Sequence, residues 1–238
     1  MKLEELKVKI YSDGADLDSF STLCNNPIIK GFTTNPTLMR KAGIQDYAGF
    51  AHEALKIVKG KPISLEVFTD ELDEMLIQAR TIASWGDNIN VKIPVSNSKG
   101  ESTYDIVGQL SSEGIIVNIT AVFTDDQIKN LVGVLDKDCP AIISVFAGRI
   151  ADTGRDAISY MKSAVMIASS SPKIDILWAS TREPFNIIEA ERAGCHIITV
   201  PPDMIKKAES FFNKDLEQFS VETVKMFYDD AVSSGYII

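Results

Sequence analysis

Eight short runs rich in β-branched residues alternate with amphipathic segments along the whole chain, with no linker or low-complexity tract between them. The runs begin near Val8, Gly31, Ile63, Ile89, Ile115, Ala141, Ile174 and His196. Helical spacing is expected over Leu17 to Cys24, Tyr47 to Val58, Leu72 to Trp85, Thr103 to Leu110, Asp125 to Leu135, Arg155 to Ala168, Pro184 to Ala193 and Met204 to Phe212. Gly60, Gly86, Gly114 and Gly194 each close a helical pattern just before the next run. Strict β–α alternation has two common solutions, a doubly wound open sheet and a closed barrel. No Gly-x-Gly-x-x-Gly follows the first run and no phosphate-binding P-loop occurs anywhere. The expected fold is therefore α/β, a single (β/α)8 TIM barrel over residues 1–238. Residues 214–238 form a C-terminal helical appendage. Val221, Val224, Phe227, Tyr228 and Val232 give that appendage an apolar stripe, which either covers one barrel end or docks on a neighbouring subunit.

Charge and composition exclude several functions. With 24 basic and 33 acidic residues, the net charge of −9 argues against nucleic-acid and anionic membrane partners. No apolar run approaches the roughly 20 residues needed to span a bilayer, and the start MKLEELKVKIY lacks the apolar region of a secretion signal. Cys24, Cys139 and Cys195 are few and widely spaced, as in a reduced cytoplasmic protein. His52 and His196 stand in no metal-ligand spacing, so neither a metal nor another cofactor is expected.

In a barrel each strand alternates between the lumen and the helix layer, and the strongly apolar parity faces the helices. Ile89, Val91, Ile93 and Val95 share one face of the fourth strand, which leaves Asn90 and Lys92 on the other. A lysine midway along a strand is usually solvated on a sheet edge. Inside a barrel mouth, desolvation instead favours a neutral amine able to attack a carbonyl. The same parity turns Asp13, Thr33, Asn35, Ser64, Glu66, Asn118, Thr120, Ser144 and Phe146 inward, with Arg149, Ser180 and Arg182 at or past the ends of strands six and seven. Barrel active sites lie at the C-terminal strand ends. One lysine, two carboxylates, amides and hydroxyls converging there suit carbonyl chemistry through an imine, and the two arginines suit a substrate phosphate.

These residues resemble the transaldolase family, in the short-chain branch shared with fructose-6-phosphate aldolase. The matching motifs are Ser12-Asp13, Gly31-Phe32-Thr33-Thr34-Asn35-Pro36-Thr37, Leu65-Glu66-Val67, Val91-Lys92-Ile93-Pro94, Asn118-Ile119-Thr120-Ala121-Val122-Phe123, Ser144-Val145-Phe146-Ala147-Gly148-Arg149-Ile150 and Ala179-Ser180-Thr181-Arg182. The resemblance implies Lys92 as the Schiff-base lysine and Asp13 as the acid/base at the hydroxyl whose deprotonation opens the C3–C4 bond. It implies that Glu66 and Thr120 hold a catalytic water, and that Asn35 and Asn118 orient the covalent intermediate. Ser144 and Ser180 would contact the dihydroxyacetone part, and Arg149 and Arg182 the phosphate. The aldolase branch has Gln and Tyr where this chain has Glu66 and Phe146, and both residues here resemble the transaldolases. Ala147 and Thr181-Arg182-Glu183 depart from the commoner forms. The implied reaction moves a dihydroxyacetone unit from sedoheptulose 7-phosphate to glyceraldehyde 3-phosphate; the alternatives are aldol cleavage of fructose 6-phosphate and a non-catalytic sugar-phosphate-binding barrel. A homo-oligomer, pentamer or decamer, is also implied.

Overall fold

A computed structural model describes residues 2–237. Its eight strands are β1 (Lys9–Asp13), β2 (Ile29–Thr33), β3 (Ile63–Glu66), β4 (Ile89–Pro94), β5 (Val117–Val122), β6 (Ala141–Val145), β7 (Ile174–Trp178) and β8 (Ile197–Val200). They close in sequence order, all parallel, with β8 hydrogen-bonded back to β1. The expected TIM barrel is therefore the fold, and the expected helices all form within a few residues of their predicted ends. Two short helices, Pro36–Lys41 and Ala147–Asp152, were not expected; six residues are too few for a 3.6-residue period to register.

Side-chain chemistry fixes the helix starts. Asp16, Asp46, Asp156 and Asp215 each accept a backbone N–H of their own first turn, and Thr124 and Gln127 cap one another reciprocally. Of the glycines expected to stop helices, Gly60, Gly114 and Gly194 adopt left-handed φ of 80°, 80° and 78°. Gly86 does not. It is small for another reason: a Cβ there would lie 3.2 Å from the Leu55 side chain.

The barrel holds two apolar regions. Leu65, Val91, Ile93, Ile119, Ile143 and Ile176 are fully buried outside the strands against the helices. Burial of each contributes about 1.5–3 kcal/mol. A separate cluster of Tyr11, Ile142, Leu177, Ala179 and Ile197 fills the lumen. The Tyr11 ring fits because Gly31 stands beside it in register on β2, where a Cβ would come within 2.6 Å of that ring. Burial, with the Asp175 charge, pushes the Tyr11 phenol up to about 12, so the phenol itself stays neutral. A cavity opens beyond this cluster, at the C-terminal ends of the strands.

The last helix, Leu216–Ser234, buries none of its residues. Its expected stripe is open to solvent, with Val221, Val224, Phe227, Tyr228 and Val232 each more than 60% exposed. Within this chain it therefore covers neither barrel end; residue 238 of the expected appendage lies outside the described residues. Among the described residues no helix is long and apolar enough to cross a membrane.

Candidate active site

Lys92 sits on β4 between outward-facing Val91 and Ile93, and is 7% exposed. Register places Glu66 of β3 beside it on one side and Asn118 of β5 on the other. Its ammonium meets Glu66 Oε2 at 2.9 Å and donates to the Thr34 carbonyl at 2.8 Å. Glu66 thus touches the lysine itself and lines the same cavity as Thr120. Both side chains of the pair are largely removed from water, so each charge depends on the other. Glu66 is held in turn by its own backbone, whose carbonyl accepts from the Tyr47 hydroxyl at 2.8 Å.

Asp13, at the end of β1, accepts a hydrogen bond on Oδ1 from the Thr33 hydroxyl at 2.8 Å. Burial pushes its carboxyl above the usual carboxylate range. The Lys92 charge and the Thr33 hydrogen bond pull it back, and the Glu66 charge adds to the rise. Thr120 Oγ1 is buried with no hydrogen-bond partner among the described residues, and the residue lines the cavity at the C-terminal strand ends.

All the expected site residues except Asn118 line one cavity of about 700 Å³ at the C-terminal mouth. Asn118 is fully buried and does not line it; its amide donates to Ser64 Oγ at 2.9 Å and accepts from Ser144 Oγ at 2.7 Å. It therefore reaches the cavity through Ser144. Asn35 spends its Oδ1 on capping the helix Pro36–Lys41, accepting from Leu38 N at 3.0 Å, and its Nδ2 has no partner among the described residues.

Ser180 breaks the strand parity. Its φ of 64° turns the chain beyond β7 and brings it to the cavity wall. A close approach locks that turn, since a Cβ on Gly148 would lie 1.6 Å from the Ser180 carbonyl oxygen. Ala121, with φ 58° at the irregularity in the β5–β6 register, marks a second strained point in the wall. Backbone strain held by its surroundings clusters at functional sites.

The two mouth arginines differ. Arg149 lies over the Phe146 ring, 5.6 Å from its centroid, and makes no ion pair among the described residues. Arg182 is paired with Asp152 in a half-exposed bridge. Sequence reasoning missed Lys41, a fourth cation on the cavity wall beside Lys92, Arg149 and Arg182, and Thr181 and Thr199, which also line it. Lys41 belongs to one of the two short helices, and Thr199 to a strand apolar on both parities.

A closed parallel barrel with a buried lysine, two carboxylates and free hydroxyls at its C-terminal mouth is an enzyme-type barrel with a lysine-centred site. Residues 10–234 match the family model described as Transaldolase/Fructose-6-phosphate aldolase. The chain is 33% identical to a "Probable transaldolase" of Nitrosopumilus maritimus, over 84% of this chain and 86% of that one. It is 34% identical to a "Probable transaldolase" of Streptococcus agalactiae, over 93% and 98%. The protein belongs to the transaldolase/fructose-6-phosphate aldolase family and is an enzyme of it. Among solved structures, it is similar to a protein from Burkholderia cenocepacia described as a lyase/mutase. The TM-score is 0.60 at 12% identity, over 99% of this chain and 90% of that one, a likeness of fold alone.

Proposed function

We propose that this enzyme is a transaldolase that moves a dihydroxyacetone unit from sedoheptulose 7-phosphate to glyceraldehyde 3-phosphate through a Schiff base on Lys92. The observation that carries the reading is the Lys92–Glu66 contact at 2.9 Å inside a cavity that Asp13 also lines. Glu66 is placed to accept the proton that Lys92 must lose before its nitrogen attacks the ketose C2 carbonyl; loss of water then gives the imine. Asp13 takes the proton of the C4 hydroxyl, the C3–C4 bond breaks, and the aldose leaves. The electron pair remains on the enamine, which attacks the acceptor aldehyde while Asp13 returns the proton. Thr120 is free to hold the water of imine formation and hydrolysis.

Phe146 favours transfer over release. It lines the cavity and packs at 5.6 Å from the Phe123 ring, and it has no proton to give the enamine. Assays with and without an aldose acceptor test the reading. Transfer is expected to exceed release of dihydroxyacetone from fructose 6-phosphate; equal rates with and without acceptor would instead make this an aldolase. Phe146→Tyr is expected to raise the release-to-transfer ratio about tenfold, or about 1.4 kcal/mol of barrier. An unchanged ratio would remove Phe146 from the explanation.

Phosphate binding divides unequally between the arginines. Arg149→Ala is expected to raise KM for phosphorylated donors by about 10- to 100-fold, the size of a lost charge-assisted bond of about 1.5–3 kcal/mol, and to leave free dihydroxyacetone little affected. The effect of Arg182→Ala is expected to be smaller, because that guanidinium already serves Asp152. A uniform loss on both substrate types would mark a structural role.

The assembly is a homo-oligomer on the same proposal. The solvent-facing stripe of the helix Leu216–Ser234 is its natural contact, and removal of residues 216–237 is expected to lower the mass measured by light scattering to that of fewer subunits.

A further inference from the structure

The wall of the cavity beside Asp13 contains a chain of hydroxyls. Thr199 Oγ1 of β8 is in hydrogen-bond contact with Thr33 Oγ1 of β2, and Thr33 Oγ1 donates to Asp13 Oδ1 of β1 at 2.8 Å. The three strands are adjacent, β1 lying between β2 and β8, so the chain crosses the barrel seam. Thr33 and Thr199 are 2% and 6% exposed. A threonine hydroxyl has one proton. Thr33 spends its proton on Asp13, so Thr199 must be the donor to Thr33.

The direction has a consequence for the carboxyl. If Asp13 carried its proton on Oδ1, Thr33 would accept it and would turn its own proton toward Thr199. Thr199 would then turn its proton away from Thr33 into the cavity that it lines, and the bond between the two hydroxyls would run the other way. With Oδ1 as the acceptor, both hydroxyls donate toward the carboxylate, and hydrogen bonds that run in one direction strengthen one another.

We propose that Thr199 is a positioning residue for Asp13, acting through Thr33: the hydroxyl chain holds Oδ1 unprotonated and leaves Oδ2 to exchange the proton of the sugar C4 hydroxyl. The inference rests on the acid/base role given to Asp13 above. The charged groups that act on Asp13 are Lys92 of β4 and Glu66 of β3; β2 and β8 meet it through these neutral hydroxyls, and the helix Pro202–Phe211 packed on β1 adds no charge to it. Burial works against the carboxylate, and the Thr33 hydrogen bond counters it. Thr199, as donor to Thr33, polarises the hydroxyl that makes that hydrogen bond. Its backbone carbonyl is itself fixed by the Thr181 hydroxyl at 2.6 Å, which limits how far the β8 end can shift.

The test is the pH profile of kcat/KM for transfer from fructose 6-phosphate to erythrose 4-phosphate, in the wild type, Thr199→Val and Thr199→Ser. Thr199→Val keeps the shape and removes the hydroxyl. Its acidic limb is expected to move up by about 0.3 to 0.5 pH unit, since the Thr33 hydrogen bond to the carboxylate loses the donor that polarises it. Its kcat is expected to fall about tenfold, while borohydride-trapped dihydroxyacetone adduct at Lys92 forms as in the wild type. Thr199→Ser restores the hydroxyl and is expected to restore both limb and rate. Should the valine variant fail to fold, Thr199→Ala carries the same comparison. A valine or alanine variant with the wild-type profile would overturn the proposal, as would a fall in rate with no movement of the limb. A wild type that neither transfers nor cleaves would overturn the transaldolase reading instead, and this inference with it.

Discussion

Lys92→Ala is expected to lose at least about 10⁴-fold in transfer rate, about 5 kcal/mol of barrier, because no other amine stands where the ketose carbonyl must sit. The same substitution is expected to cost about 3–5 kcal/mol of stability, since Glu66 is left as an unpaired carboxylate in a site nearly closed to water. The two losses can be separated. Replacing Lys92 and Glu66 together by Met removes both charges at similar volume, and this double variant is expected to recover most of the stability and none of the activity. Lys92→Arg keeps a positive charge beside Glu66 and is expected to be equally inactive, because a guanidinium does not give up its proton. Chemical denaturation and a coupled transfer assay on the same preparations check all three. An active Lys92→Arg would remove the nucleophile from the account.

Asp13→Asn is expected to stabilise the fold while removing about 10²–10⁴-fold of the rate, the usual size of a lost general acid/base. Burial holds the Asp13 carboxyl above its ordinary value of 3.8. Below that value the carboxyl is protonated in both folded and unfolded chains and costs nothing. As pH rises through the folded value the native state must carry a disfavoured buried charge, and stability is lost. The gain from Asp13→Asn is therefore absent near pH 3.8 and full above the folded value. Asparagine still offers an acceptor to Thr33, so the hydroxyl chain is kept. Thermal midpoints of the two proteins are expected to coincide in acid and to separate toward neutral pH, with the variant higher. A constant difference at all pH values would show that the carboxyl titrates alike in both states.

Much of this site can be read from alternation alone. Where one parity is plainly apolar, as in Val91 and Ile93 around Lys92 or Leu65 before Glu66, the inward residues follow from a period of two. The rule fails where both parities are apolar. In β8, Ile197, Ile198 and Val200 surround Thr199, so nothing in the run tells lumen from helix layer, and the hydroxyl that completes the Asp13 network is hidden. It also fails where the backbone leaves the strand: Ser180 reaches the cavity through a left-handed turn, which no pattern of apolar residues announces. Pairings between distant segments are equally silent. Arg182 with Asp152, and Asn118 between Ser64 and Ser144, depend on register and loop path, so the expected roles of Arg182 and Asn118 overlook the partners that already occupy them. The terminal helix shows the opposite limit. Its stripe is legible, yet the chain leaves it open to solvent: an apolar pattern fixes a helical face without fixing what that face packs on.

The most direct measurement is borohydride reduction of the wild-type enzyme mixed with fructose 6-phosphate, followed by digestion and mass mapping of the modified peptide. One adduct of a dihydroxyacetone unit is expected, on the peptide containing Asn90-Val91-Lys92-Ile93-Pro94 and on Lys92 within it. An adduct on any other lysine, such as Lys41 at the cavity wall, or no adduct under conditions where transfer proceeds, would contradict the assignment.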